Sequence, residues 1–424
     1  MSLSTVLRKF IGRCLSLVFV HLATSLILAQ EALHTSISGE EAAAAKRRAL
    51  ENQSGSIRIG NASFIVGGSV GLEYNDNVNY SDIGQQKDFI VRPAMSLSAM
   101  LPFTEANAIY GNLDIGYAKF LRYSQYDRLT LRPGSQLGFD VYVKNFHFNL
   151  HDDIAITEEP VAQGTISGTG KYGEFSNTGG IGIDWDLNDV IASFGYDHQN
   201  TISTESHFSY LDRAAENFFG RAEFQVSQSL SLGPEASGGL TDYEQHVLND
   251  SLNYSFGAFA SWQMSQYITL KPRFGYVGYT FANSGSGTNQ TKIADVNSYY
   301  VSLEISHRLN EYVTYHVDGG RQIRLGVNSE LITLWYTRAS IDWNLVEHLG
   351  LGTHLTFEQG TDSGSAIFLT PENYTLLGGG LGMQYPLMEK LLLALEYEYL
   401  VKDSNIPARN YHQHKVQLRL QYTF

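Results

Sequence analysis

From Phe64 to Phe424, apolar and polar side chains alternate with a period of two almost without a break. That is the spacing of a strand with one greasy face and one wet face. Val66, Val70, Leu72 and Tyr74 alternate with Ser69, Gly71 and Glu73, and Phe89, Val91, Met95, Leu97 and Leu101 alternate with Arg92, Ser96 and Ser98. Eighteen such segments follow one another, the first at 64–75 and the last at 412–424. Each runs for about ten residues, the length of a tilted strand that crosses a bilayer. The pattern predicts an all-β fold over residues 61–424, a transmembrane antiparallel up-and-down β-barrel of about 18 strands whose even number puts both ends on one side.

The connections separate a membrane barrel from a soluble sandwich. Brief links (PFTEA, VKN, LND, SQS, MSQ, LNE, LVE, LME) alternate with long ones such as EEPVAQGTISGTGKYGEFSN and ANSGSGTNQTKIADVN, with GVNSE as a brief exception. Outer-membrane barrels show this asymmetry, with short turns on the periplasmic side and long loops outside. The short turns also carry a repeat: WDLND, WQMSQ, WNLVE, FQVSQ and YPLME each place an aromatic residue four positions before an acidic or amide residue. Trp185, Phe224, Trp262, Trp343 and Tyr385 thereby form an expected membrane-interface girdle, because amphipathic rings settle at the level of the lipid headgroups.

Composition limits the function classes. Only 17% of residues are charged and the formal charge is -14, without the clustered Lys and Arg that a nucleic-acid partner requires. Arg8, Lys9 and Arg13 precede the apolar stretch CLSLVFVHLATSLIL, so residues 1–29 read as a secretory signal peptide. Its removal would take the chain's one cysteine, Cys14, and three of its 29 basic residues, leaving a net charge of -17. Residues 30–60 then read as an N-terminal periplasmic segment with a short helix at 39–53 (GEEAAAAKRRALENQ), too polar to span a bilayer and able to serve as a plug.

Inward parity assigns the pore-lining residues: Arg92, Arg221, Arg273 and Arg338, with Glu73, Asp114 and Glu223, and with the rings of Tyr110, Tyr300 and Tyr336. Both signs occur, which disfavours a strongly anion-selective pore. The same charges could instead pair across neighbouring strands. Pro93, Pro133, Pro234 and Pro272 fall inside strands with outward parity, and each is expected to mark a β-bulge.

Catalytic and metal motifs are weak. HFNLHDDIAI sets His147, Asn149, His151 and Asp153 on one face of a strand, a spacing usable for metal or acid–base work but better read as polar packing of the lumen. NDNVNYSD lacks the glycine and closing glutamate of a calcium loop, and SGSGTNQTK lacks the order of a phosphate loop. No catalytic residue, metal or cofactor is assigned.

The last strand turns Val416, Leu418, Leu420, Tyr422 and Phe424 toward lipid and Lys415, Gln417, Arg419 and Gln421 toward the lumen. A closed barrel needs it to pair with the first strand. Its ending, with Tyr422 and Phe424, resembles the signal by which insertion machinery recognises outer-membrane barrels. The opening GGSVGLEYNDNVNYSD, followed by KDFIVRPAMSLSAMLP, is similar in Tyr74, Asp76, Asn77, Val78, Asp88, Val91 and Pro93 to the putative β-barrel porin 2 family. The resemblance implies a bacterial outer-membrane, porin-like conduit, with saccharide or exopolysaccharide as cargo and outer-membrane lipid and the insertion machinery as partners. Two other classes stay open: an outer-membrane enzyme using His147 and His151, and a non-conducting structural barrel.

Overall fold

A computed structural model describes residues 57–104, 106–157, 166–282, 294–327, 329–346, 349–363 and 370–424. The expected signal peptide and the helix at 39–53 lie outside the described residues. A short β1 (Ile57–Ile59) precedes β2 (Ala62–Asn75), β3 (Asp88–Pro102), β4 (Ala108–Phe120), β5 (Arg128–Val143), β6 (Phe146–Thr157), β7 (Glu174–Asp186), β8 (Val190–Ser203), β9 (Arg213–Ser227) and β10 (Leu230–Tyr243). Then come β11 (Ser251–Gln263), β12 (Ile268–Phe281), β13 (Val296–Arg308), β14 (Val313–Leu325), β15 (Leu331–Val346), β16 (Leu349–Asp362), β17 (Asn373–Met388), β18 (Leu391–Ser404) and β19 (Tyr411–Thr423).

Strands β2 to β19 each pair antiparallel with their sequence neighbours, and β19 pairs with β2, closing a barrel of eighteen strands. Closure leaves no unpaired edge in the hydrocarbon, where no water could satisfy one. At the seam Leu418 lies opposite Leu72 and Gln417 opposite Glu73, and the Phe424 N–H donates to the Val66 carbonyl at 2.9 Å. Beyond the end of β19, β1 turns back at Gly60 (φ 61°) and sets Ile57 against Phe64, covering the rest of that edge.

Links of two to five residues at one end alternate with links of five to sixteen at the other. The outer wall is largely apolar: Val70, Leu72, Met95, Leu355 and Leu381 are exposed there, while Glu73, Asp140, Glu235 and Glu358 are buried on the inner side of the barrel. This is the inversion that a sheet closed around a polar interior in an apolar medium demands.

The proline expectation is corrected. Register shifts at Pro133, in both β5 pairings, with Gly134 at φ 86°. Pro93, Pro234 and Pro272 sit in unshifted register: β3 passes from Val91 opposite Lys119 to Ala94 opposite Gly116 with no inserted residue. An antiparallel residue turns its backbone groups to one neighbour only. A proline therefore removes a rung on one side, toward β4 in the case of Pro93, while the pairing of Pro93 with Val70 continues on the other.

Candidate functional site

Ion pairs between adjacent strands recur along the lumen wall. Arg92 Nε donates to Glu73 Oε2 at 2.7 Å, Arg132 reaches Asp114 at 3.3 Å, Lys415 reaches Glu398 at 2.7 Å and Arg419 reaches Glu396 at 3.0 Å. Arg221 lies 3.7 Å from Glu223 and over the Phe259 ring, and Arg338 lies over the Tyr336 ring at 5.0 Å. Of the predicted lining residues, Glu73 with Arg92 and Arg221 with Glu223 come together as pairs, and Asp114 takes Arg132.

Arg273 has a partner that parity also allowed but that the expected lining set omitted. Glu235, 3% exposed, accepts from Arg273 at 2.8 Å and from the Tyr300 hydroxyl at 2.7 Å. Tyr300 stands on β13 and Glu235 on β10, with Gly257 and Gly275 between them in one lateral row. A Cβ at Gly257 would come within 2.1 Å of the Tyr300 hydroxyl, so glycine is what lets the ring lie along the wall. Tyr110 covers Gly138 in the same way and accepts from Asn149 at 3.0 Å. The inward tyrosines are therefore built into the wall.

His147 and His151 have both ring nitrogens engaged. His147 bridges Asp140 (2.8 Å) and Asp184 (3.2 Å), and Ser193 Oγ donates to the other Asp184 oxygen at 2.6 Å. His151 lies between Asn149 and Asp197 at 3.0 and 3.1 Å. Neither histidine has a nitrogen directed at a nucleophile. Among the described residues one group has metal-ligand spacing: Asp242, His246 and Asp250, with ligand atoms within 4.8 Å of one another beside the link 244–250.

At the end with long links, apolar side chains of the links pack in buried clusters against strand ends, a feature outside the sequence expectations. Link 76–87 carries Tyr80 to Ile332 and Leu334 of β15, past β16 to β19, in a buried cluster with Tyr374, Leu400 and Tyr411. A second cluster joins Ile166, Tyr172, Phe208, Leu211 and Leu248 from three links to Val277, Ile323 and Leu325 from strand ends. The two are tied where the Tyr80 carbonyl accepts the Gly168 N–H at 2.7 Å.

The opening motif explains how the first link is held. Asn77 is fully buried; its Nδ2 donates to the carbonyls of Ser81 (2.9 Å) and His412 (2.7 Å), and its Oδ1 accepts from Ser81 N–H at 3.1 Å. Asp76 accepts the His414 N–H at 2.7 Å, and Asp88 accepts the N–H groups of Arg122 and Tyr123. The Tyr-x-Asp-Asn-Val stretch thus locks the link to the barrel seam.

Two further clasps hold the mouth. Glu372, fully buried, takes Lys402 at 2.8 Å and Arg409 at 2.6 Å. Glu330 accepts the backbone and side-chain N–H groups of Asn249 at 3.0 and 2.9 Å. Burial pushes the Glu330 carboxyl above its ordinary range, partly offset by those two bonds. Burial likewise pushes the Tyr210 hydroxyl, on the link 204–212, up to about 12.

The expected girdle residues all stand on the outer wall at the short-turn end. Trp185, Phe224, Trp262, Trp343 and Tyr385 are each 40 to 45% exposed. A second outward belt, absent from the sequence reading, carries Phe89, Tyr117, Tyr254, Tyr276, Tyr299 and Trp335. Its signal was available: Tyr254 and Trp335 each stand eight residues before a girdle tryptophan on the same strand.

No protein-family model matches the chain, and no curated protein does. Similar solved structures include OccAB3 of Acinetobacter baumannii, 10% identical over 85% of this chain and 99% of that one, with a TM-score of 0.47. OccK7 (OpdD) of Pseudomonas aeruginosa is 11% identical over 86% and 99%, TM-score 0.47. OccK5 (OpdH) of the same organism is 12% identical over 85% and 98%, TM-score 0.46. At these values the likeness is one of outline, and the reading of this chain rests on its own residues.

Proposed function

We propose that the chain is a bacterial outer-membrane, porin-like conduit for small polar solutes, with saccharides as the cargo class. One observation carries this: the same eighteen strands expose apolar side chains outward and bury paired charges inward. A barrel of that strand number encloses an aqueous interior wherever side chains do not fill it. Acid–base pairs bring both signs of charge to the wall, which suits an uncharged polar cargo better than a strongly charged one. The motif resemblance is what extends the cargo to exopolysaccharide, and the outward Tyr422 and Phe424 are what support recognition by insertion machinery. Proteoliposomes holding the folded barrel should swell in isosmotic monosaccharide and less in longer oligosaccharides. Failure to swell in any solute would overturn the conduit.

The buried clusters across the mouth favour one other reading, a barrel kept shut. Removing residues 78–86 would then create the swelling that the intact chain lacks.

A further inference from the structure

The outer wall carries a lateral row of polar side chains across β6 to β9, one of several outward polar positions that include Arg321 between Val301 and Trp335. Asp152, Gly179, His198 and Glu216 lie opposite one another in a single lateral row across β6, β7, β8 and β9. Their outward direction follows from the row's ends, Leu137 (60% exposed) and Leu240 (52% exposed). His198 Nδ1 meets Glu216 at 2.8 Å and its Nε2 meets Asn200 at 3.0 Å, while Asn177 donates to Asp152 and Tyr196 to Glu216.

Asn177 and Asn200 adjoin the row toward the long links, between Ile154 and Ala214, and apolar side chains lie beyond on both sides. Phe146, Trp185 and Phe224 lie toward the short turns, and Ile154, Ile156, Phe175 and Ile202 lie toward the long links. Carboxylates on the lipid face carry a cost that rises toward the bilayer midplane, so a covered row is favoured over a bare one. In the middle, a Cβ at Gly179 would have nothing within 4 Å. The wall is thus notched at its centre, with Asp152 on one side and the His198–Glu216 pair on the other.

We infer that this sector is the contact face for a second copy of the chain. Two copies inserted in the same direction can share a two-fold axis only along the membrane normal, and such an axis makes the patch its own partner. With the axis over Gly179, the Asp152 side of one copy faces the Tyr196–His198 side of the other, and the glycine lets the two walls approach. Acid then meets imidazole and phenol. Exposed Phe194 and Phe218 on one flank, and Leu137 and Leu150 on the other, extend the contact with apolar area. This rests on the membrane-barrel reading above and not on conduction.

Cysteine cross-linking tests it in the full chain with Cys14→Ser. Gly179→Cys, reconstituted in vesicles and oxidised with copper phenanthroline, should shift most of the chain to a dimer band. Leu381→Cys on β17, 63% exposed, should stay monomeric. Asp152→Asn with Glu216→Gln should lower the yield at position 179. Heat-modifiable migration of each variant establishes that the barrel has folded, so a missing dimer cannot be laid to misfolding. No more dimer at 179 than at 381, equal labelling of both by a lipid-soluble maleimide, or a cross-link whose mass is not twice that of the chain would each overturn the second-copy assignment.

Discussion

The two ends of the barrel are finished by different physics. At the short-turn end each connection is local: Lys144 and Asn188 take φ of 55° and 74°, and the Leu187 N–H donates to the Val190 carbonyl at 2.8 Å within one hairpin. At the other end, side chains far apart in sequence meet, as when Tyr80 packs with Ile332 and Tyr411. The short-turn end is specified hairpin by hairpin, whereas the Tyr80 cluster joins link 76–87 to β15, β17, β18 and β19, elements that closure of the barrel brings together. Substitutions at the two ends should therefore fail differently, one kind loosening the mouth and the other the barrel.

The largest effect is expected at the mouth. Tyr80→Ala removes a buried ring from the cluster that pins link 76–87 to β15 and β19, at a cost of about 3–5 kcal/mol by analogy with other aromatic truncations. Limited proteolysis should then cut within 76–87 while heat-modifiable migration of the barrel is kept. A whole barrel that melts with Tyr80→Ala would break the contrast between the ends. Next is the wall: Leu418→Arg faces lipid at the seam and should cost about 2–4 kcal/mol if it lies near the midplane. The yield of heat-modifiable protein should fall, and unchanged yield would place Leu418 away from lipid.

Asn77→Ala should cost about 1–3 kcal/mol, because the His412 and Ser81 groups lose a buried partner. Hydrogen exchange should rise in 76–87 and at the start of β19 and stay unchanged in the short turns. The smallest effect is on pH. The folded Glu330 carboxyl is raised by burial, so its contribution to holding link 244–250 is full below the unfolded value and is lost as pH rises through the raised folded value. Protection of Leu248 and Asn249 should decline over that interval, and Glu330→Gln should abolish the dependence.

What was legible in the sequence follows the same division. Period-two alternation marked every strand of the barrel to within a few residues, because each outward side chain answers to lipid alone, whatever its neighbours are. The outward placement of the five aromatic residues beside the short turns was legible for the same reason. Pro93, Pro234 and Pro272 were misread as bulges, since whether a missing rung displaces the register depends on the neighbouring strand. Glu235 took its importance from Arg273, two strands away, and from Tyr300 reaching over two glycines, lateral relations that no single strand displays. The apolar mouth lay in links whose composition reads as ordinary loop.

On the conduit reading, the polar lumen conducts and the folded links at one mouth limit it. Single-channel conductance in planar bilayers tests this directly, with the intact chain compared to one lacking residues 78–86 in the link held by Asn77. Discrete steps from the intact protein, and larger steps once the link is gone, are the predicted result. Equal steps from both would contradict the role of the mouth, and a folded barrel silent in both forms would contradict the conduit.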